Sequence, residues 1–285
     1  MQEINKNVYI ETSFEGVTLG ALNWPHGLIL IDSPFRQEDI RSWRSSTMNL
    51  GVGSNRLLIN LDCHADRLLG VKSMESNVIA HDDVADLLIS RPATFKTIPS
   101  EMGCEWEQFE NLGNIRWSIP ELTFSDQFTI HWDGSPIHLI SRPGCAIGAI
   151  WVHVVEESVL FVGDCVVAHQ PPYLALSNIP VWIQNLKELL SPTYQNHTII
   201  GGRNGILHRS DIEHQIQFLD TVYHHLSQLV PSRSSIDQIN KLASELAATF
   251  PALDQYRKHI NTNRLCFGMI EYFRSHYQSE PEPTA

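Results

Sequence analysis

The sequence predicts an α/β fold, and three features of its patterning carry that expectation. Between residues 57 and 90 short apolar runs alternate with helical periodicity, which implies parallel strands with helices packed outside them. Both halves of the chain up to Gly205 open with apolar runs separated by turn formers, the mark of antiparallel strands. After Gly205 the pattern turns helical, with Ile212, Ile216, Leu219, Val222 and Leu226 spaced along one apolar face.

Taken in order, residues 8–12 and 17–22 read as strands joined through Ser13-Phe14-Glu15-Gly16, a hairpin with Gly near its end. Residues 27–32 continue the meander as a buried strand. Asp32 ends it and reads as a cap for a helix near 37–43. Residues 57–61 form the central strand, 65–72 its helix and 77–80 the next strand. The helix at 82–90 carries Asp82 and Asp83 in its first turn, where they complement the dipole. His81, at the end of the preceding strand, reads as a capping or supporting group rather than a ligand.

From 92 to 120 the periodicity fades, and Trp106, Phe109 and Trp117 sit among polar residues. This is an insertion that either roofs a substrate pocket or lies on the surface with its aromatics as anchors. Strands at 122–130 and 137–141, split by the turn Asp133-Gly134-Ser135, open the second half. A hairpin of 147–155 and 159–162 follows through Glu156-Glu157. Residues 179–190 form a helix capped by Asn178 and ended at Pro192, and Thr198-Ile199-Ile200 is the last core strand. Helices at 211–229, 236–250 and about 253–277 complete the chain. The expected division is a domain over 1–208, a helical extension packed on it over 209–279, and a disordered tail over 280–285. The extra helices either cover the site or mediate homo-oligomer formation. His224 and His225, adjacent on a helix, point in different directions and make no metal pair.

The composition is that of an ordinary soluble globular protein, with 42% hydrophobic and 18% charged residues in 285. Apolar runs such as 159–162 and 147–155 fall well short of the roughly eighteen residues that a membrane span needs. The start, Met1-Gln-Glu-Ile-Asn-Lys, does not read as a signal peptide, so a cytoplasmic protein without membrane partners is expected. A formal charge of −12 with no basic stripe disfavours nucleic acid. Cys63, Cys104, Cys145, Cys165 and Cys266 are odd in number and scattered, which fits a reducing compartment and no disulfide framework.

The chemistry concentrates at Asp62-Cys63-His64-Ala65-Asp66-Arg67, a polar turn between strand and helix. Asp62, His64 and Asp66 alternate there, a spacing that lets their side chains converge; the plainer reading is a solvated loop with Asp62 as an N-cap. This turn resembles the His-x-His-x-Asp-His signature of the metallo-β-lactamase fold. Later landmarks match in order: Arg142-Pro143-Gly144-Cys145 for the Pro-Gly-His segment, Phe161-Val162-Gly163-Asp164 for the strand ending in Gly-Asp, and Gly201-Gly202-Arg203-Asn204-Gly205 for the late Gly-His-Gly. The resemblance implies an αββα sandwich of two mixed β-sheets flanked by helices, here with extra C-terminal helices. Four ligand positions depart from the pattern, with Asp62, Arg67, Cys145 and Arg203 where the family has His.

Carried over by position, the resemblance implies a first metal site of Asp62, His64 and Cys145, with Asp164 alongside, a donor set that suits one zinc ion. Such an ion would activate water against an ester, thioester or amide. Arg67 and Arg203 have no lone pair to donate, so at most one metal is expected. Both arginines should turn onto Asp66 and Asp164 as charge-assisted pairs, since two unpaired buried carboxylates would cost several kcal/mol. Charge counting over these residues leaves zinc occupancy open: three Asp are balanced by two Arg with either zinc and a Cys145 thiolate or a protonated His64.

Three functions follow. The first is a mono-metal hydrolase in which Asp66 or Asp164 positions the water and Arg67 or Arg203 binds an oxyanion or an anionic group of a small-molecule substrate. The second is a metal-free member that binds a small anion or partner. The third is thiol chemistry at Cys145 or Cys63. His208 is an alternative ligand or a structural residue.

Overall fold

In the computed structural model of the chain, the described residues are 1–50, 55–96, 101–109, 112, 114–132, 136–229, 233–252 and 254–278. Seven strands form the first sheet in sequence order: β1 (Gln2–Asn5), β2 (Val8–Glu11), β3 (Leu19–Trp24), β4 (Gly27–Ile31), β5 (Asn55–Ile59), β6 (Asn77–His81) and β7 (Leu122–Phe124). The first four pair antiparallel, and β4 through β7 pair parallel. The second sheet holds β8 (Gln127–His131), β9 (Pro136–Ser141), β10 (Ile150–Val154), β11 (Val159–Gly163), β12 (Thr198–Gly201) and β13 (Gly205–Leu207), with only β11 and β12 parallel.

The period-2 alternation of the strands decides what faces what. On β4, Ile29 and Ile31 meet Phe161, Val152 and Ile137 of the second sheet in a core between the sheets. Leu28 and Leu30 point the other way, into the cluster that receives the helices. On β11, Val159 and Phe161 face inward while Leu160 and Val162 face outward. Each such buried side chain stabilises the fold by roughly 1.5–3 kcal/mol, so a one-residue slip of register would be strongly disfavoured.

Helices cover both outer faces: α1 (Gln37–Met48), α2 (Ala65–Leu68), α3 (Asp82–Ser90), α4 (Ile179–Leu189), α5 (Arg209–Ser227), α6 (Arg233–Ala247) and α7 (Gln255–Tyr277). Trp43 of α1, Val84 of α3, Trp182 of α4, Leu219 of α5, Ile239 of α6 and Leu265 of α7 are all buried in the outer cluster. The arrangement is the expected αββα sandwich. The buried faces of α5, α6 and α7 belong to the same cluster as the rest of the fold.

Several boundaries differ from the sequence reading. Residues 122–130 are not one strand: β7 belongs to the first sheet and β8 to the second, and the chain crosses between them at Ser125 and Asp126. The helix at 65–72 is the single turn α2 followed by a 3-10 turn at Val71–Met74. Gly70 lies between the two, where a Cβ would come within 1.9 Å of the Pro34 carbonyl oxygen. The edge strands β1 and β13 lacked a pattern strong enough to be read. The turn Asp133-Gly134-Ser135 and the tail at 280–285 lie outside the described residues. Among the described residues, no helix is long and apolar enough to cross a membrane.

Candidate functional site

Four parallel strands end on the same side of the sandwich, and the residue just beyond each end builds the site. Asp32 follows β4, Asp62 follows β5 by a short turn, Asp164 follows β11, and Arg203 follows β12 after Gly202. Ligand sites in α/β folds gather at such carboxyl ends, where the chain leaves the sheet and side chains can converge.

The turn after β5 is held by its own polar groups. Asp62 Oδ1 accepts from the His64 backbone N–H at 2.9 Å and lies 2.9 Å from His64 Nδ1. The N-cap of α2 is therefore not Asp62 but His64, whose side chain makes no capping bond. Arg67 sits at the last turn of α2, fully buried, its own carbonyl accepting from Ser33 Oγ at 2.9 Å.

The guanidinium of Arg67 spans three carboxylates. Nη1 donates to Asp32 Oδ2 at 2.8 Å, Nη2 donates to Asp164 Oδ1, and Nε lies 3.2 Å from Asp62 Oδ1. Asp32 reaches it from a left-handed backbone (φ 58°), a conformation Asp tolerates, and its other oxygen accepts from the Leu61 N–H at 3.0 Å. Gly202 makes room for this cluster, since a Cβ there would lie 2.6 Å from Arg67 Nη1 and 2.8 Å from Asp164 Oδ1.

Arg203 completes the expected pairing. Its Nε donates to Asp164 Oδ2 at 2.9 Å, Nη2 to Asp66 Oδ2 at 3.0 Å, and Nη1 to Glu105 Oε2 at 3.0 Å and the Gly16 carbonyl at 2.9 Å. Both arginines thus turn onto acidic partners, with one change: Arg67 takes Asp32, Asp62 and Asp164, and Asp66 is left to Arg203. Both guanidiniums are buried and already bonded to carboxylates, so either would have to share those bonds to bind an oxyanion or an anionic substrate group.

Three residues complete the network that the sequence reading did not single out. Glu105, in a 3-10 turn of the insertion, accepts from Arg264 Nη2 at 2.6 Å and from the Tyr173 hydroxyl at 2.6 Å. Arg264 reaches in from α7 and donates to the carbonyls of Gly103 (2.8 Å) and Pro171 (3.2 Å). The Tyr173 ring lies 4.5 Å from the Arg203 guanidinium, 4.3 Å from that of Arg264 and 5.1 Å from the His64 ring. A signal for Arg264 existed: it falls among Ile260, Asn261, Leu265, Gly268 and Met269 on the buried stripe of its helix, where a cation needs a buried partner. Glu105 had no such signal.

Among the described residues, the buried carboxylates are Asp32, Asp62, Asp66, Glu105 and Asp164, and the buried guanidiniums are Arg67, Arg203 and Arg264. All eight belong to this one network, which carries two more negative than positive charges. Arg257, partly exposed, approaches Glu105 at 3.6 Å but is paired with Glu15 at 3.0 Å. The neutral balance expected over fewer residues is replaced by this one.

The environment separates the acids. Burial raises every carboxyl here, but at Asp62 the charges of Arg67 and His64 outweigh it and hold the group well below its ordinary range. At Asp164, Arg203 and Arg67 do the same. Burial also acts on Glu105, where Arg264 and Arg203 bring the carboxyl down to about 2. Asp66 is pushed up to about 6 by burial that Arg203 only partly offsets, and Asp32 likewise to about 6 despite Arg67. His64 is raised: burial opposes its charge, but Asp62 and Asp164 prevail.

The metal-ligating atoms that converge are those of Asp62, His64 and Asp164, all within 4.8 Å of one another. Cys145, expected in this set, is buried but stands outside it. Burial drives the Cys145 thiol well above its ordinary range and that of Cys63 up to about 12, the reverse of what a reactive thiolate needs. His81 caps α3, accepting from the Asp83 N–H at 3.1 Å, and exposed His208 is the N-cap of α5.

One divalent ion fits the residues present. Asp62 Oδ2, an oxygen of one of the converging carboxylates, is buried with no hydrogen-bond partner. A second ion does not fit, because Arg67 and Arg203, which stand at two of the positions where the resemblance places its ligands, have no lone pair to give and lay cationic groups on Asp164 and Asp66.

A cavity of about 570 Å³ opens beside His64 and Tyr173. Its walls come from the insertion (Phe95, Trp106, Trp117) and from α7 (Phe267, Gly268) with Leu174. Described residues of the 92–120 insertion therefore roof the site, while Phe109 anchors against Phe35 at 5.4 Å. A second, polar pocket of about 180 Å³ reaches Arg203 and Glu105 from the side of Ser13 and Gly16.

Comparison with solved structures finds the same fold in proteins of low sequence identity. A metallo-β-lactamase family protein from Thermus thermophilus aligns with TM-score 0.61 and 16% identity, covering 94% of this chain and 93% of its own. A metallo-β-lactamase from Pontibacter korlensis aligns with TM-score 0.56 and 17% identity, over 77% of this chain and 97% of its own. A double mutant of the sec-alkyl sulfatase PisA1 aligns with TM-score 0.62 and 13% identity, over 99% of this chain and 52% of its own. No protein-family model matches the sequence, and no curated protein does.

Proposed function

From the metallo-β-lactamase fold, which this chain has, we propose a hydrolase that uses at most one metal ion, held by Asp62, His64 and Asp164, and acts on an ester, thioester or amide that enters the apolar cavity. The observation that carries this reading is the double substitution at Arg67 and Arg203, whose guanidiniums lie on the carboxylates a second ion would need. When bound, a divalent ion such as zinc supplies a Lewis acid and lowers the pKa of water.

The chain's own residues divide the remaining work. Asp164 is immobilised by two guanidiniums, so it can hold a position but cannot exchange a proton. Asp66 keeps Oδ1 unpaired and is pushed up to about 6 by burial, so it is the carboxyl suited to hold and return a proton near neutrality. The cavity walls exclude water from the reacting group. That role assignment narrows the expectation that either acid would serve.

A second reading is supported by His64. Its Nδ1 lies 2.9 Å from Asp62 Oδ1 and 3.4 Å from Asp164 Oδ2, so a proton on it neutralises the same carboxylates that would bind the ion. On that reading the chain is a metal-free binding module. Equilibrium dialysis against zinc separates the two. One equivalent per chain, lost in Asp62→Asn and accompanied by zinc-dependent turnover of a chromogenic ester, is the outcome expected of the hydrolase. No bound zinc at neutral or mildly alkaline pH leaves the metal-free reading.

A further inference from the structure

The charges around the large cavity are not balanced in the way those beneath it are. Arg264 lines it but is consumed by Glu105 and two carbonyls. Glu271 lines it and is paired with Arg274 at 2.7 Å. His64 lines it and is held by Asp62 at 2.9 Å, which leaves Arg91 and Lys96 as lining charges with no ion pair among the described residues; Lys96 is exposed and Arg91 partly so. Arg91 also lies 5.9 Å from the Trp117 ring, which places its guanidinium against the aromatic wall. A chain of net charge −12 thus presents a local pair of cations at the entrance to its apolar cavity.

The interior asks for the opposite chemistry. Trp106, Phe95, Leu174 and Phe267 supply broad apolar surface, and apolar atoms make up most of the lining. A ligand body with its own hydrogen-bonding groups would lose its water there without compensation. A hydrocarbon body would not. The volume of about 570 Å³ lies within the range of small-molecule sites and, at about 30 Å³ per water-sized group, admits on the order of 15–20 non-hydrogen atoms.

We infer that the cavity binds an anionic amphiphile: an unbranched hydrocarbon body lies between the insertion and α7, and its anionic head meets Arg91 and Lys96. The inference names the substrate class of the site proposed above and rests on that reading only for cleavage; the binding itself requires no metal. It is therefore tested on the full chain stripped of metal with a chelator, so that failure here and failure of the zinc experiment are separate results.

Two probes with the same chain and opposite head charge, dodecanoate and dodecyltrimethylammonium, are titrated below their micellar concentrations. Binding is followed by calorimetry and by tryptophan emission, to which Trp106 and Trp117 report. Saturable binding of dodecanoate at least ten-fold tighter than of the ammonium is expected. The Arg91→Glu, Lys96→Glu double variant should erase or invert that preference, and Ala175→Trp, which fills the cavity, should weaken both probes. No saturable dodecanoate binding, or equal affinity for the two heads, overturns the inference, and this comparison on the unaltered chain stands even if a variant fails to fold.

Discussion

Replacing Arg67 with methionine tests the charge network at its most connected point. The side chain is fully buried and contacts Asp32, Asp62 and Asp164, so its loss strips one counter-charge from three carboxylates that cannot reach water. Breaking a buried ion pair from one side typically costs about 3–5 kcal/mol, a large share of the roughly 5–15 kcal/mol that holds a domain folded. Urea denaturation at pH 7 should therefore show Arg67→Met destabilised by about 3 kcal/mol or more, while Arg209→Met, whose partner Glu213 is solvated, should leave the midpoint unchanged.

The pH dependence supplies a second check on the same variant. In the unaltered chain Asp62 and Asp164 are depressed, so they contribute stability above the ordinary carboxylate pKa and lose it as pH falls. Without Arg67 those groups rise and the contribution disappears. The gap between variant and parent should thus narrow from pH 7 toward pH 4, because carboxylates that have lost Arg67 take up protons at higher pH than the same groups in the parent. A cost below about 1 kcal/mol, the range of surface pairs, or a gap independent of pH, would refute the reasoning.

Gly202→Ala should destabilise by about 1–3 kcal/mol in the same urea assay, because its Cβ would press on the Arg67–Asp164 pair. Glu105→Gln should lower stability by several kcal/mol, since Arg203 and Arg264 would then share a neutral partner, and α7 should gain protease sensitivity as its anchor weakens. Zinc uptake should rise with pH: Asp62 and Asp164 raise the pKa of His64 against burial and so favour its protonated form, and the ion must displace that proton, as dialysis at two pH values would reveal. Cys63 and Cys145 should resist a colorimetric thiol reagent at pH 8 until the chain is unfolded, given burial and thiols pushed far up.

The parts of the fold that were legible in the sequence are those where local pattern and tertiary need agree. Residues 57–59 and 159–162 are apolar throughout because both sheet faces are covered, and α4 announces itself through Asn178, Pro180 and its apolar stripe. The crossing at Ser125 and Asp126 was invisible, because residues on either side keep strand character and only the three-dimensional pairing tells which sheet each joins. At the site, the chemistry of guanidinium was enough to place Arg67 and Arg203 on acids. It could not say which acids, since Asp32 and Glu105 are brought in by long-range folding from other parts of the chain. Cys145 failed as a ligand for a related reason. Motif position brings a residue near the site, but the direction of its side chain is set by packing that the motif does not contain, and the ligand atoms that converge are those of Asp62, His64 and Asp164.

Crystals soaked in zinc and measured at its absorption edge would address the central claim most directly. One anomalous peak at most, between Asp62, His64 and Asp164, with guanidinium density for Arg67 and Arg203 lying on their carboxylates, is the predicted result. Two peaks about 3.5–4 Å apart, the spacing of a binuclear centre, with those arginines displaced, would contradict it.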